Sequence, residues 1–362
     1  MKYDYLIVGA GLFGSVFARQ VADSGKSVLV IDKREHIGGN CYSEKINEID
    51  VHKYGPHIFH TASDRVWNYI TQFTNFNQYV YSPVANYKGE LYNLPFNMWT
   101  FYQLWGVHTP EEAKAKIESQ KIFVRQPNNL EDYAVQTVGE DIYRKLIYGY
   151  TSKQWHTSPL SLPPDIIKRI PLRFEYNNNY FNDKYQGIPK EGYTNLFENL
   201  LANIPVELGV DFFSNRDYYE SIAGRIVYTG RIDQFFDYQF GELDYRSLRF
   251  EHQVLDTDNY QGVSVMNFTD KETPYTRRIE HKYFNNKNQK GTVITTEYPI
   301  MNNSDPYYPV NDTKNNTKFE NYEKITKSSN KFIFGGRLSE YRYYDMDQTI
   351  ASALKKSELT LR

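Results

Sequence analysis

A single cysteine, Cys41, in 362 residues excludes an internal disulfide and any cysteine-based zinc cluster, and points to a reducing compartment. Charge of neither sign is in excess. The 42 Lys and Arg against 44 Asp and Glu leave a formal net charge of −2, so no basic field exists to hold nucleic acid or an anionic membrane. Long hydrophobic runs are missing as well. The longest, around Tyr5 to Ala18, is interrupted by glycines and falls short of the roughly 18–20 residues that span a bilayer. A first strand predicted after two residues leaves no room for a signal peptide, so the chain is expected to be cytoplasmic. What is abundant is tyrosine: 33 residues, with aromatics at 16% and hydrophobics at only 40%. Rings with an apolar face and a polar edge suit surfaces that meet sugars or bases, and a tyrosine-rich core accounts for the figure equally well. At about 100–200 residues per domain, the length predicts two or three domains.

Tyr3 to Val8 reads as a buried parallel strand, Ser15 to Ser24 as a helix and Ser27 to Ile31 as a second buried strand. Trp67 to Asp165 reads as helical, with loops at Tyr87 to Glu90 and Gly106 to Pro110. A helix over Glu111 to Gln120 is predicted to begin at Thr109-Pro110, and Leu162-Pro163-Pro164 marks a junction. Gly262 to Phe268, Arg277 to Tyr283 and Thr292 to Tyr298 have the alternation of antiparallel strands. Arg225 to Thr229 and Lys331 to Phe334 read as short buried strands, and the Asn-rich stretch Met301 to Asn316 as a surface loop. The expected fold is α/β. A discontinuous Rossmann-like domain (1–76, 192–240 and 327–362) carries a helical-bundle insertion (77–165) and an antiparallel sheet domain (166–191 and 241–326).

Gly9-Ala10-Gly11-Leu12-Phe13-Gly14 follows a strand and opens a helix, the context a dinucleotide fingerprint requires. Gly9 makes the tight turn, Gly11 admits a pyrophosphate to the backbone, and Gly14 allows close helix–strand packing. Asp32 ends the second strand where an acidic residue takes ribose hydroxyls. The tail Asp32-Lys33-Arg34-Glu35-His36-Ile37-Gly38-Gly39 typifies FAD proteins. Near the C-terminus, Phe332 to Arg337 is a strand entering a glycine turn, and Asp345 with Gln348 forms a capping-box-like start to a helix. That helix N-terminus, aimed at a flavin pyrimidine, would stabilise negative charge at N1 and O2; an ordinary terminal helix fits the same residues. His57 and His60, three apart in a turn, lack a third ligand for a metal, so none is expected.

Further stretches carry a resemblance to a known family. They are His36 to Asn40, Tyr54 to Thr61, Asn93 to Asn97, Gly149 to Trp155, Lys168 to Phe174, Asn179 to Pro189, Pro274 to Arg277, Pro306 to Pro309 and Gly335 to Leu338. Together with the glycine fingerprint they make essentially the whole chain resemble the UDP-galactopyranose mutases, bacterial flavoenzymes. The resemblance implies reversible isomerisation of UDP-galactopyranose to UDP-galactofuranose with no net redox change, reduced FAD N5 acting as nucleophile on the anomeric carbon. It implies an external reductant such as NAD(P)H, a homodimer, and supply of galactofuranose to surface glycans. Arg169 and Arg277 would grip the diphosphate, as guanidinium forks suit phosphate. Tyr150 and Trp155 would line the uridine end, Tyr180 and Phe181 would join them on a nucleotide-binding loop, and Asn267, Tyr308, Tyr343 and Asp345 would surround diphosphate and sugar. His60 would orient flavin or galactose. Gly9, Gly11, Phe13, Gly14, Asp32, Lys33, Gly39, Asn40, His57, Ile58, Gly336, Arg337, Asp345 and Met346 would hold FAD. Leu146-Ile147 stand where many members have two aromatics, which would weaken stacking on uracil. Tyr176 to Gly187 is expected to be a lid that leaves Tyr180 and Phe181 exposed until ligand binds. The rival reading is an amine-oxidase-like flavin oxidoreductase, which shares the glycine motifs but needs neither the two arginines nor the Trp-Tyr wall.

Overall fold

The structure, a computed structural model, describes residues 2–168, 171–285, 288–301, 305–327 and 329–362. The apolar run Tyr3–Val8 is covered on both faces, with Leu6 and Ile7 fully buried, and this fixes it as the centre of a parallel sheet. The five strands run in the order Phe332–Phe334, Ala223–Tyr228, Tyr3–Val8, Val28–Ile31 and Val206–Glu207. One face is covered by the helices Leu12–Asp23 and Met346–Leu361, where Val16, Phe17 and Val21 meet Ile350, Ala353 and Leu354. The other face packs Leu6, Leu29, Ile31 and Ile226 against Phe212, Phe235 and Tyr322. The first helix starts at Leu12 rather than Ser15 because Gly11, extended, serves as its N-cap, so the fingerprint itself supplies the first turn.

Tyr322 belongs to a helix, Thr313–Thr326, whose first four residues fall in the stretch read as a surface loop. Asn315 there is a connector. The Asp312 carboxylate accepts the Asn315 N–H at 2.8 Å, and the buried Asn315 side chain accepts the Asp244 N–H at 3.1 Å while donating to the Asp244 and Asp312 carboxylates. The helix therefore closes over the parallel sheet.

A second, seven-stranded sheet has the order Tyr308–Pro309, Tyr245–Leu255, Thr292–Ile300, Arg277–Glu280, Val265–Phe268, Val84–Tyr87 and Glu90–Asn93. All its pairs are antiparallel except that of Val265–Phe268 with Val84–Tyr87. The last two strands lie inside the segment read as helical. Lys88 and Gly89 both take positive φ (52° and 93°), the signature of a two-residue hairpin turn, and the flanking tetrapeptides are its arms. The strand expected over Arg277 to Tyr283 gives way after Glu280 to the short helix Lys282–Asn285.

The helices between Met98 and Lys168 form a layer with their own core of Phe101, Ile117, Leu130, Ile142, Leu146 and Ile147. Thr109 caps Pro110–Gln120 reciprocally: its hydroxyl accepts the Glu112 N–H at 3.2 Å and the Glu112 carboxylate accepts the Thr109 N–H at 3.0 Å. One turn departs from α geometry. Tyr143–Tyr148 is π-helical and leads directly into Gly149–Trp155.

Candidate active site

The glycine fingerprint is enforced by contact distances. A Cβ on Gly14 would lie 1.9 Å from the Gly9 carbonyl oxygen, and one on Gly9, where φ is +111°, would lie 2.0 Å from Thr229 Oγ1. Gly11 faces Gly39, whose Cβ would come within 3.0 Å of the Gly11 Cα, so two bare backbones meet at the helix N-terminus. Asp32 is buried, its two oxygens accepting the N–H groups of Ala10 at 2.7 Å and Arg34 at 2.9 Å, each with a lone pair to spare. Asn40 accepts from Arg34 at 2.9 Å, and the Lys33 side chain is exposed. These residues fit a dinucleotide. The Phe13 ring fills the space where a Gly335 side chain would be, with that Cβ 2.0 Å from Cζ, so it packs the glycine turn. Ile58 is in the core, and Met346 opens the C-terminal helix with its side chain against that core. Gln348 Oε1 accepts the Asp345 N–H at 3.0 Å, the expected half of the cap.

The second sheet and the helix Gly149–Trp155 contribute the other wall. Arg277 opens its strand directly opposite Asn267. Its Nη2 donates to the Tyr150 hydroxyl at 3.0 Å, and its Nε lies 3.0 Å from Glu297 Oε1. That Nε–H is not aimed along the line to the carboxylate, so the contact is an ion pair rather than a good hydrogen bond. Burial raises the Glu297 pKa, opposed by Arg277, while Glu297 helps to hold Arg277 charged against its own burial. Tyr308 and Tyr343 stack at 5.2 Å, and the Arg337 guanidinium sits 5.1 Å from the Tyr343 ring, donating to the carbonyls of Tyr307 and Tyr344. Asn267 Oδ1 is buried without a hydrogen-bond partner among the described residues, an acceptor available to a ligand. His57 is pushed down to about 4, first by burial and then by Arg337 and Arg277, which stand near it. Its Nδ1–H donates to the Gly55 carbonyl at 2.9 Å, which leaves Nε2 as an acceptor. The arginine set therefore meets the loop of His57 between the glycine cradle and the aromatic wall.

A family model described as UDP-galactopyranose mutase matches residues 145–343, and one described as an NAD(P)-binding Rossmann-like domain matches 7–73. Among similar curated proteins are a dTDP-fucopyranose mutase of Escherichia coli and a probable UDP-galactopyranose mutase of Klebsiella pneumoniae. Each is 42% identical; the matches cover 99% of this chain and 98% of the first protein, and 98% and 93% for the second. The chain belongs to the UDP-galactopyranose mutase family. The mutases are isomerases. A crystal structure of reduced UDP-galactopyranose mutase superposes over 100% of this chain and 94% of that one, with a TM-score of 0.74 at 14% identity. A putrescine oxidase variant reaches 0.59 at 11%, covering 99% of both chains, so the oxidases share the fold.

Within the mutase frame, Arg169 lies outside the described residues. Trp155 ends its helix half-buried against the helical core, and its carbonyl accepts from Arg246 Nε at 3.1 Å. The segment expected to be an open lid is tied down. The Tyr180 N–H donates to the Tyr81 carbonyl at 2.8 Å, Asn97 donates to the Asn177 carbonyl at 3.0 Å, and buried Arg173 holds the carbonyls of Asn179 and Tyr180 and the Asn182 side chain. Phe181 stacks on His60 at 3.6 Å, and His60 Nδ1 lies 2.5 Å from Asp183 Oδ2. So Tyr180 and Phe181 are already half-buried, contrary to expectation, and the loop is closed. Leu146 and Ile147 point into the helical core rather than standing free as a wall. Glu297 and Arg173 escaped the sequence reading. The available signal was an acid at an inward position of an alternating strand, and an arginine beside an asparagine run.

Proposed function

We propose that this chain interconverts UDP-galactopyranose and UDP-galactofuranose using bound FAD. The observation that carries the reading is the meeting of Arg277, Tyr150, Tyr308 and Tyr343, with the unpartnered Asn267 oxygen, beside a glycine cradle fit for a dinucleotide. Reduced FAD, when bound, supplies the nucleophile at N5 for the anomeric carbon. The chain's residues bind and orient. Arg277, together with Arg169, takes the diphosphate and stabilises the charge that develops on it as it departs. Tyr150 and Trp155 face the uridine, Tyr308, Tyr343 and Asp345 surround the sugar and diphosphate, and His60 orients the galactose end. The closed Tyr176 to Gly187 segment excludes water. No helix among the described residues is long and apolar enough to cross a membrane. We place the enzyme in the cytoplasm as a homodimer, reduced by a donor such as NAD(P)H and serving surface glycan synthesis.

A second substrate is favoured by one observation: the dTDP-fucopyranose mutase matches as well as the galactopyranose enzyme and over slightly more of the chain. The test offers UDP-galactose and dTDP-fucose separately to oxidised and dithionite-reduced protein, with products identified by chromatography. Furanose formation from UDP-galactose only after reduction is expected. Equal turnover in both redox states refutes the role given to FAD, and furanose from dTDP-fucose alone reassigns the substrate.

A further inference from the structure

Lys153 is half-buried on the helix Gly149–Trp155, one turn after Gly149. Its Nζ donates to two main-chain carbonyls, Phe268 at 2.8 Å and Tyr275 at 2.9 Å. Phe268 ends the strand that carries Asn267, and Tyr275 stands two residues before Arg277, so one ammonium spans both ends of the hairpin that presents the diphosphate cation. The hairpin loop has its own closure: Asp270 accepts the N–H and the hydroxyl of Thr273 at 2.7 and 2.9 Å. Gly149 lies so close to this loop that a Cβ would come within 2.3 Å of the Thr269 carbonyl oxygen and 2.8 Å of the Lys271 nitrogen. The helix is thus seated on the hairpin at Gly149 and clamped to it by Lys153. Between them, Tyr150 is the acceptor that receives the Arg277 guanidinium. Among the described residues Lys153 has no ion-pair contact with a carboxylate, and burial brings it down to about 8, with Asp270 and Glu272 opposing the shift from a distance.

We infer that Lys153 is a positioning residue: by holding both strand ends of the Arg277 hairpin to the Tyr150 helix, it sets the separation of the diphosphate cation from the uridine wall. The inference rests on the reading of the cleft as a nucleoside-diphosphate site. Charge-assisted bonds to two carbonyls are short and stiff, and their loss should let hairpin and helix slide while the glycine cradle, built from other segments, stays intact.

The test compares wild type with Lys153→Met, which keeps the length and loses the donors, and with Lys153→Arg, each as FAD-loaded protein. UDP binding is measured by calorimetry. Lys153→Met should keep its flavin and weaken UDP binding by about 10- to 100-fold, the range for losing charged hydrogen bonds, with Lys153→Arg recovering part of it. In an Arg277→Ala background the same change should cost less than about threefold, because the lysine acts through the arginine. UDP affinity within twofold of wild type in Lys153→Met overturns the inference, as does an undiminished loss in the Arg277→Ala background. Loss of flavin or helix content in Lys153→Met also overturns it, in favour of a stabilising role. Wild-type protein that fails to bind UDP would instead refute the nucleoside-diphosphate site.

Discussion

Replacing Glu297 by Gln separates what the Arg277 ion pair does for the fold from what it does for the ligand. The Glu297 side chain is 1% exposed and Arg277 19%, so the guanidinium depends on this carboxylate for its counter-charge while the cleft is empty. Breaking a buried pair costs about 3–5 kcal/mol. Here the partial exposure of Arg277 and the Thr276 hydroxyl, 3.2 Å from Glu297 Oε1 and able to bond the amide, reduce the expected loss to about 2–3 kcal/mol. For 362 residues unfolding as one unit the entropy is about 0.8 kcal/mol/K, so the melting temperature should fall by about 2.5–4 °C. UDP at a hundred times its Kd stabilises wild type by about 2.7 kcal/mol. In Glu297→Gln the diphosphate becomes the missing counter-anion, and the UDP-induced shift should be larger than in wild type by about 1–2 °C. Differential scanning fluorimetry with and without UDP reads both quantities. An unchanged melting temperature, or a UDP shift no larger than in wild type, refutes the argument that Glu297 neutralises Arg277 before the ligand does.

Arg277→Ala should lower kcat/KM by about 10- to 150-fold with flavin retained, and Arg277→Lys should recover only part, since a point charge cannot fork; full activity in the alanine variant would remove Arg277 from the diphosphate site. Arg173→Ala should raise amide hydrogen exchange across 179–183 and raise KM, and unchanged exchange would mean that the closed loop is held by its other bonds. Acid should destabilise the protein through its buried imidazoles, because burial pushes His52 down to about 3 and His57 to about 4. Between about pH 6.5 and 4 the unfolded chain binds protons that the native one does not, so stability falls as pH falls, by about 1.4 kcal/mol per unit for each histidine. Urea midpoints from pH 7 to 4.5 measure the slope. It should flatten by about one proton in His52→Asn, and a flat wild-type profile would show that these rings are protonated in the fold.

Legibility followed the range of the interactions. The strand–glycine–helix unit was readable because its contacts are local: Gly9, Gly14 and Asp32 constrain one another within one βαβ turn, and the structure keeps that arrangement. The hairpin Val84–Asn93 was misread because its turn, Lys88-Gly89, is short and its arms are too brief to establish a period. The strand Tyr245–Leu255 went unseen since no residue of its second half is fully buried, and it is held by pairing with Thr292–Ile300. In the candidate site, Arg277 and Tyr150 were legible through family motifs. Glu297 and Lys153 were not, because Glu297 matters through its cross-strand neighbour Arg277 and Lys153 through two carbonyls more than 100 residues away in the chain, and nothing in a linear pattern records those pairings.

The π-helical turn Tyr143–Tyr148 makes the site sensitive to chain length in a way that composition does not reveal. Such a turn houses one residue more than an α-turn, and removing one would rotate everything after it by about 100°. Tyr150 would swing away from Arg277, and Gly149 would carry its bare Cα off the 269–271 backbone that only it can approach. A homologue missing a single residue here would keep every motif spelled out in its sequence and still present the aromatic wall to the wrong side. Length between Ile142 and Gly149 is therefore a heritable switch for this cleft, and its tally says whether the letters downstream are in frame with the chemistry.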